Sequence, residues 1–186
     1  MRETSSERVA RPRTRPGLVM RLAGRGGYGV LPQGAFGGGY VYGALVMGRA
    51  RLELGVGAGF AGKFVLTESV SRRPLHLSVM VAGCMQRTRR RLDLRGCLGF
   101  EAGNVAVRRP ESLPWPWTVH LVGAPSLTWW FHGRVGVYAG VGVGLALVRP
   151  NFYVGPAPGD QALAERAVPP LAVSGTLGVE FRGRSR

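Results

Sequence analysis

The 186-residue chain is long enough to bury one sizeable core and too short for two comfortable domains. Apolar residues make up 45% and charged residues 19% of it, which excludes disorder of the low-hydrophobicity, high-charge kind. The net charge is +15, but every basic residue except Lys63 is an arginine, and the arginines are spread along the chain. The densest cluster, Arg87–Arg91, lacks the interleaved aromatic residues that a single-strand nucleic-acid binder would have.

Residues 1–16, which read "MRETSSERVARPRTRP", predict a disordered basic arm. Like the first part of a signal peptide, they contain positively charged residues. The run of about 7–15 apolar residues that should follow is missing. An export signal is therefore not visible in this sequence.

The rest of the chain alternates apolar residues with small or charged ones, a period of two that is typical of strands. The stretch "VGVYAGVGVGLALV" from Val135 is the clearest example, and "ARLELGVGAGF", "RLDLRGCLGFEA" and "LAVSGTLGVEFR" repeat the pattern. The pattern predicts eight strands, at about residues 17–27, 33–46, 49–61, 73–86, 91–102, 116–131, 134–148 and 169–182.

Two other interpretations of the sequence are rejected. Residues Gly57–Phe64, "GAGFAGKF", have the glycine-lysine spacing of a nucleotide-binding P-loop. Phe64, however, replaces the Ser or Thr that holds magnesium, and "VLTESVSRRP" predicts a loop instead of the required helix. The uncharged stretches Gly26–Gly48 and Ser112–Gly133 are long enough for membrane helices, but their glycines and prolines disfavour a helix.

The connections between the predicted strands alternate between long and short. Tight turns are predicted near Met47–Gly48, Arg87–Arg90 and His132–Gly133. This alternation with an even strand number predicts an eight-stranded antiparallel up-and-down transmembrane β-barrel of the outer membrane, with short periplasmic turns and longer outward loops. Both ends of the barrel domain, residues 17–183, are then on the side of the tight turns.

The two faces of the strands fit this barrel. Trp117, Trp129 and Phe131 fall on the apolar face near strand ends, where they suit an interfacial aromatic girdle; ordinary core aromatics of a soluble barrel are the alternative. Eight strands leave an interior that side chains just fill. The inward charged residues are predicted to pair there in a structural network: Arg21, Arg25, Arg51, Glu53, Asp93, Arg95, Glu101, Glu180 and Arg182.

The register of one hairpin predicts a disulfide. If the turn centres between Arg90 and Arg91, Cys84 and Cys97 lie directly opposite each other on antiparallel strands. Their Cβ atoms would then be about 4.5–5.5 Å apart, which is close to what a disulfide needs. The oxidising periplasm would preserve the bond. Two unpaired buried thiols are the alternative.

The outward loops carry arginines that could bind phosphate, whose geometry the guanidinium group matches well. We expect these arginines to contact the phosphates of lipopolysaccharide; a solvated positive surface is the alternative. They are Arg72, Arg73, Arg108, Arg109, Arg149 and Arg166. The cluster Arg87–Arg91, by contrast, is assigned to a periplasmic turn.

Four features resemble a group of uncharacterised bacterial outer-membrane-type barrel proteins over roughly residues 17–183. They are the Leu-Pro turn after "RGGYGV", the two cysteines in "GCMQRTRRRLDLRGCLGFEAGN", the segment "LVRPNFYV" and the closing "VPPLAVSGTLGVEF". The layout is also similar to the small eight-stranded outer-membrane barrels. This resemblance implies insertion by the outer-membrane assembly machinery and leaves residues 184–186 as a basic tail.

Three functions remain open, of which a structural or surface-interaction barrel with a side-chain-filled lumen is favoured. A soluble, lipocalin-like barrel that binds an apolar ligand would need the apolar face turned inward. A lipid-modifying membrane enzyme would depend on His76 and His120, which are predicted to point inward within reach of Ser126, Asp93 or Glu101. The spacing of residues matches no metal-ligand or cofactor motif, so no metal, cofactor or catalytic residue is predicted.

Overall fold

A computed structural model describes residues 16–31, 34–61, 64–67, 70–72, 75–106, 117–154 and 164–183. The strands are β1 (Gly17–Leu31), β2 (Gly34–Met47), β3 (Ala50–Ala61), β4 (Phe64–Thr67), β5 (Val70–Arg72), β6 (Leu75–Arg89), β7 (Leu92–Ala106), β8 (Trp117–His132), β9 (Val135–Val148), β10 (Asn151–Val154), β11 (Ala164–Ala167) and β12 (Leu171–Arg182). Among the described residues, none forms a helix long and apolar enough to cross a membrane.

Eight long strands close into a barrel in the order β1-β12-β9-β8-β7-β6-β3-β2. Every neighbouring pair is antiparallel, and the pair β1–β12 completes the closure. Closure leaves no strand edge with unpaired backbone groups. The predicted eight-stranded antiparallel barrel is therefore confirmed.

The predicted faces of the strands are confirmed as well. On β3, Leu52, Leu54 and Val56 are about half exposed, whereas the intervening Arg51 and Glu53 are 3% and 2% exposed. The same alternation follows β6, β7, β9 and β12. The barrel thus has all of its described carboxylates and their arginine partners inside and most of its large aliphatic residues outside.

Three two-residue turns form one end of the barrel, which we call the turn rim: Gly48–Arg49, Arg90–Arg91 and Gly133–Arg134. Gly48 and Arg90 have φ angles of 63° and 54°, as tight hairpin turns require. Strand β1 begins and β12 ends at the same rim. The turn predicted at Arg87–Arg90 begins three residues later, at Arg90, because β6 continues through Arg89.

The structure differs from the predicted connections in two places. Phe64–Thr67 and Val70–Arg72, in a connection predicted as a loop, pair as the small hairpin β4–β5. Strands β10 and β11 pair as a second hairpin between β9 and β12. The first connection spans only residues 32–33, because β1 runs on to Leu31 through a bulge. Gly29 makes the bulge possible: its φ is 89°, and a Cβ there would lie 2.2 Å from the carbonyl oxygen of Leu171.

Other predictions fall outside the described residues. The basic arm is outside them up to residue 15, and the tail at residues 184–186 is outside them entirely. Within the rejected P-loop, Gly57 and Gly59 lie in β3, while Lys63 is not described. The two uncharged stretches in which membrane helices were rejected contain part of β1 and the whole of β2 and β8.

The predicted disulfide is present. Cys84 on β6 pairs directly with Cys97 on β7, and their Cα atoms are 4.0 Å apart. The two sulfur atoms are bonded at 2.11 Å. All β6–β7 pairs have the register that was predicted for a turn centred between Arg90 and Arg91.

Replacing both cysteines with serine should lower the free energy of unfolding by about 2–3 kcal/mol, because the bond closes a short loop in the unfolded chain. Urea unfolding of the barrel refolded in phospholipid vesicles, followed by tryptophan fluorescence, measures the difference. Reductant should destabilise the native protein by the same amount and leave the double variant unchanged. An unfolding midpoint that does not move in either case would contradict the prediction.

Candidate functional site

The interior of the barrel, the lumen, collects the nine charged residues that the sequence predicted there. All of them are buried except Arg182, whose side chain is 36% exposed near the turn rim. The residues lie on β1, β3, β7 and β12, and their side chains meet across the barrel because each strand turns alternate residues inward. They form three groups.

The largest group contains three arginines and two glutamates. Arg21 donates to Glu53 at 2.6 Å, and Arg51 donates to Glu180 at 2.9 Å. Arg95 donates to Glu180 at 2.8 Å and lies 3.6 Å from Glu53. Arg51 Nε also lies 2.6 Å from Glu53 Oε1, as a charge contact without the alignment of a hydrogen bond. Each carboxylate therefore serves several guanidinium groups.

Aromatic and hydroxyl groups complete the surroundings of these arginines. The guanidinium carbon of Arg21 lies 4.1 Å from the ring centroid of Tyr42 and 3.9 Å from that of Tyr138. Arg95 lies 5.1 Å from the Tyr138 ring and donates to the hydroxyl of Thr128. Cation–π contacts of this kind gain strength when they are removed from water. They fix the three arginines in the centre of the lumen.

The second group lies nearer the outward loops. Arg25 donates to Glu101 at 2.7 Å and to the Ser174 hydroxyl at 3.1 Å. Its guanidinium also lies 5.7 Å from the Phe36 ring and 5.4 Å from the Tyr40 ring. Because Arg25 is on β1 and Glu101 on β7, the pair joins strands that are not neighbours in the barrel.

The third group lies at the turn rim. Asp93 accepts a hydrogen bond from the indole of Trp130 at 2.8 Å and pairs with Arg182. Arg182 lies 3.8 Å over the Trp130 ring. Trp130 thus points inward and caps the charged interior at this end, whereas its neighbour Trp129 points outward.

Buried polar residues without charge partners lie near the loop end of the lumen. His76 and His120 are 1% and 2% exposed. Both ring nitrogens of His76 and the Nε2 atom of His120 have no hydrogen-bond partner among the described residues, and neither do the Ser78 hydroxyl and Asn104 Oδ1. Ser78 and Asn104 were not predicted from the sequence, although both occupy inward positions in the alternation of β6 and β7.

Among the described residues, the structure places the two histidines away from two of the three groups that they were predicted to reach. His120 pairs in register with Glu101, as one of the predicted neighbours. Asp93 pairs with Thr128, eight residues further along β8, which is about 26 Å at the rise of a strand. Ser126 lies opposite Arg95, six residues from His120. The expectation that the histidines could meet Ser126 or Asp93 is therefore wrong: Ser126 is six positions from His120 on β8, and on β7 Asp93 is eight positions from the partner of His120 and twelve from the partner of His76.

Metal binding also has little support from the described residues. One cluster of ligand-type atoms occurs among them, formed by Glu53, Cys84 and Cys97. Both sulfur atoms of that cluster are already bonded to each other, so neither is a thiolate that could hold a metal ion.

The described residues leave a space of about 30 Å³ in the middle of the lumen, lined among others by Arg21, Arg25 and Tyr138. A space of this size holds a water molecule or two but no larger ligand.

Of the six loop arginines, the structure describes the side chain of Arg149, which donates from Nε to the backbone oxygen of Val168 at 2.9 Å. This bond ties the end of β9 to the segment that enters β12. The backbones of Arg72 and Arg166 lie in the small hairpins. Their side chains, like the whole of Arg73, Arg108 and Arg109, lie outside the described residues.

Solved structures share this architecture at low sequence identity. The outer membrane protein OprG from Pseudomonas aeruginosa matches 91% of this chain and 96% of its own, with 8% identity and a TM-score of 0.60. A major outer membrane protein from Thermus thermophilus matches 90% and 99%, with 12% identity and a TM-score of 0.58.

A third match is Ail, the attachment invasion locus protein of Yersinia pestis, in complex with the heparin analogue sucrose octasulfate. It covers 90% of this chain and 97% of its own, with 12% identity and a TM-score of 0.53. No protein-family model matches the chain, and no curated protein matches it in sequence. The chain has the fold of the small eight-stranded outer-membrane β-barrels.

Proposed function

We propose that the chain is an outer-membrane β-barrel with a side-chain-filled lumen and a structural or surface-interaction role, inserted by the outer-membrane assembly machinery. The observation that carries the proposal is a continuous apolar belt around the outside of the barrel. Apart from Arg87 and Arg89 at the rim end of β6, the outward residues of the barrel strands are apolar or small, and large ones such as Leu177, Leu98 and Leu54 are 67%, 61% and 55% exposed.

Water would be a poor solvent for this belt. Soluble monomers rarely expose contiguous apolar patches larger than a few hundred Å², whereas a membrane barrel needs an outward apolar band flanked by aromatic residues. Trp117, Trp129 and Phe131 are 60%, 55% and 42% exposed near the ends of β8. Their positions at both ends of one strand suit the two interfaces of a bilayer.

The interior supports a filled lumen over an open channel. The three ion-pair groups cross the barrel at three levels between the turn rim and the loop end. The space between the group of Arg21 and Glu53 and the group of Arg25 is about 30 Å³. This arrangement is also the opposite of a lipocalin-like barrel, in which apolar side chains would face a ligand inside. A soluble carrier of apolar ligands is therefore disfavoured.

A structural role is favoured over a lipid-modifying enzyme. No hydrogen bond joins His76 or His120 to a hydroxyl or carboxylate within the part of the chain that the structure describes. Nucleophilic or general-base catalysis requires such a contact between base and nucleophile.

Heat-modifiability tests the proposal. The chain is expressed behind a working signal peptide, and the outer-membrane fraction is run in SDS without reductant, unheated and boiled. A closed membrane barrel should resist SDS until it is boiled and should therefore change its mobility. A soluble protein with the same mobility in both lanes would overturn the proposal.

The surface-interaction role includes contact between the loop arginines and lipopolysaccharide phosphates. Support comes from guanidinium chemistry and from the Ail structure, which holds a densely sulfated sugar. Changing the six loop arginines to Gln should lower the lipopolysaccharide that co-purifies with the barrel several-fold. They are Arg72, Arg73, Arg108, Arg109, Arg149 and Arg166.

A matched control removes the same number of charges from the other end of the barrel. Its substitutions to Gln are at Arg49, Arg87, Arg89, Arg90, Arg91 and Arg134. This control should keep the lipopolysaccharide. Equal co-purification by the loop variant and the native protein would end this part of the proposal.

A further inference from the structure

The turn rim has a positively charged surface. Six arginines are exposed there: Arg49, Arg87, Arg89, Arg90, Arg91 and Arg134. Every carboxylate whose side chain the structure describes is buried inside the barrel, at 3% exposure or less. No described acidic side chain is therefore available to neutralise these arginines at the surface.

A shallow depression lies on the outer face of the barrel beside this rim. It has a volume of about 620 Å³ and spans β3, β6, β7 and β8. Its floor and walls are apolar: Gly83, Gly96, Gly123, Leu52, Met85 and Leu98. The depression exists because outward positions on three neighbouring strands are glycines, whereas Leu52, Met85 and Leu98 beside them have large side chains.

The depression is open and not closed by other parts of the described chain. A Cβ atom added at Gly83, Gly96 or Gly123 would meet no atom within 4 Å. Along β6 the outward positions run Gly83, Met85, Arg87, so that Arg87 lies about 14 Å from Gly83 towards the turn rim.

Arg49 lies in the turn between β2 and β3, opposite Gln86, the residue before Arg87 on β6. The backbone N–H of Gln86 donates to the carbonyl oxygen of Arg49 at 2.8 Å, and Ala50 pairs with Met85. Met85 and Ala50 line the depression, Arg87 is two positions beyond Met85, and Arg49 directly precedes Ala50. Two exposed arginines therefore adjoin the depression at its turn-rim end.

We propose that this surface binds one anionic phospholipid from the membrane leaflet at the turn rim. Its phosphate lies between Arg49 and Arg87, and one acyl chain lies in the depression over Gly83 and Gly96. The proposal rests on the proposed membrane location and adds a specific lipid site to it.

The shape and charge of the surface match this occupant in both of its parts. A phosphate monoanion complements arginines that have no exposed carboxylate beside them, and each arginine near a membrane surface favours anionic lipid. Because glycines have no side chain, an acyl chain can lie directly on them and make dispersion contacts with the floor of the depression. A nucleic acid or an acidic protein segment would use the arginines but not the apolar depression.

Native mass spectrometry of the full chain, refolded in a neutral detergent, tests the site. The probe is palmitoyl-oleoyl-phosphatidylglycerol, and phosphatidylcholine with the same chains is the headgroup control. The native barrel should hold one phosphatidylglycerol more tightly than phosphatidylcholine. The variant R49Q/R87Q should bind phosphatidylglycerol roughly 30-fold more weakly and should lose most of the preference for it over phosphatidylcholine.

Two matched controls separate the site from general effects. R91Q/R134Q removes the same charge from the same rim, away from the depression, and should retain tight binding. Gly96→Leu should fill the depression and weaken both lipids, whereas Gly175→Leu, at an equally open outward glycine on β12, should weaken neither.

Three results would overturn the inference: equal binding of the two lipids by the native barrel, unchanged binding by R49Q/R87Q, or an equal loss in R91Q/R134Q. A heat-modifiable barrel with any of these results loses the lipid site alone. A chain that forms no heat-modifiable barrel loses the membrane location and the lipid site together.

Discussion

Replacing Glu180 with Gln should lower the free energy of unfolding of the barrel by about 3–5 kcal/mol, because it leaves buried charges without their partner. Glu180 is fully buried and lies within ion-pair distance of Arg21, Arg51 and Arg95. Without it, three guanidinium groups share the single carboxylate of Glu53. Urea unfolding in phospholipid vesicles measures the change.

A double-mutant cycle separates this effect from simple loss of packing. Removing Arg95 as well, in Arg95→Met/Glu180→Gln, takes away one of the stranded charges. The double variant should be about 1–3 kcal/mol more stable than the sum of the two single changes implies. Strict additivity would mean that the two side chains do not interact inside the barrel.

Replacing Val141 with Arg should have the second largest effect, a loss of about 2–4 kcal/mol, because it places a charge against lipid at mid-depth. Val141 is near the middle of β9 and is 54% exposed. The same substitution at Val148, at the loop end of β9 and 47% exposed, should cost at most about 1 kcal/mol, since arginine there can reach the interface.

The comparison between these two positions is independent of the overall stability of the barrel. In water, both exposed sites would tolerate arginine within about 0.5 kcal/mol. A small and equal effect at Val141 and Val148 would therefore contradict a lipid-facing belt, even if the protein folded well.

Much of the fold follows from the period-two pattern, which reports directly on the two faces of a strand. On β9 the outward Val141 and Val143 alternate with Gly142 and Gly144, and the structure has the same faces. The opposition of Cys84 and Cys97 could be predicted because a two-residue turn fixes the register of a whole hairpin.

The pattern fails where the backbone departs from a regular strand. Gly29 and Val30 are both buried, so alternation stops at the bulge and the sequence places the end of β1 four residues early. Short hairpins such as β4–β5 have too few residues for a period to be recognised.

The partners inside the lumen could be predicted only as a set. The sequence identifies Arg25 and Glu101 as inward residues, but they lie on β1 and β7, which do not pair. Their contact depends on the curvature of the closed barrel and on side-chain length, neither of which appears in a periodic pattern. The inward Trp130 was missed for a related reason: its neighbours Trp129 and Phe131 carry the outward apolar pattern.

The central claim is that the apolar belt contacts lipid while the alternate residues face a filled interior. Site-directed spin labelling along β9 tests it most directly, and Cys84 and Cys97 do not compete for the label because they are bonded to each other. Labels at Val141, Val143 and Leu145 in lipid vesicles should be accessible to oxygen and shielded from a water-soluble nickel chelate. Labels at Gly142 and Gly144 should be shielded from both. High accessibility of the outward labels to the chelate would contradict the membrane barrel.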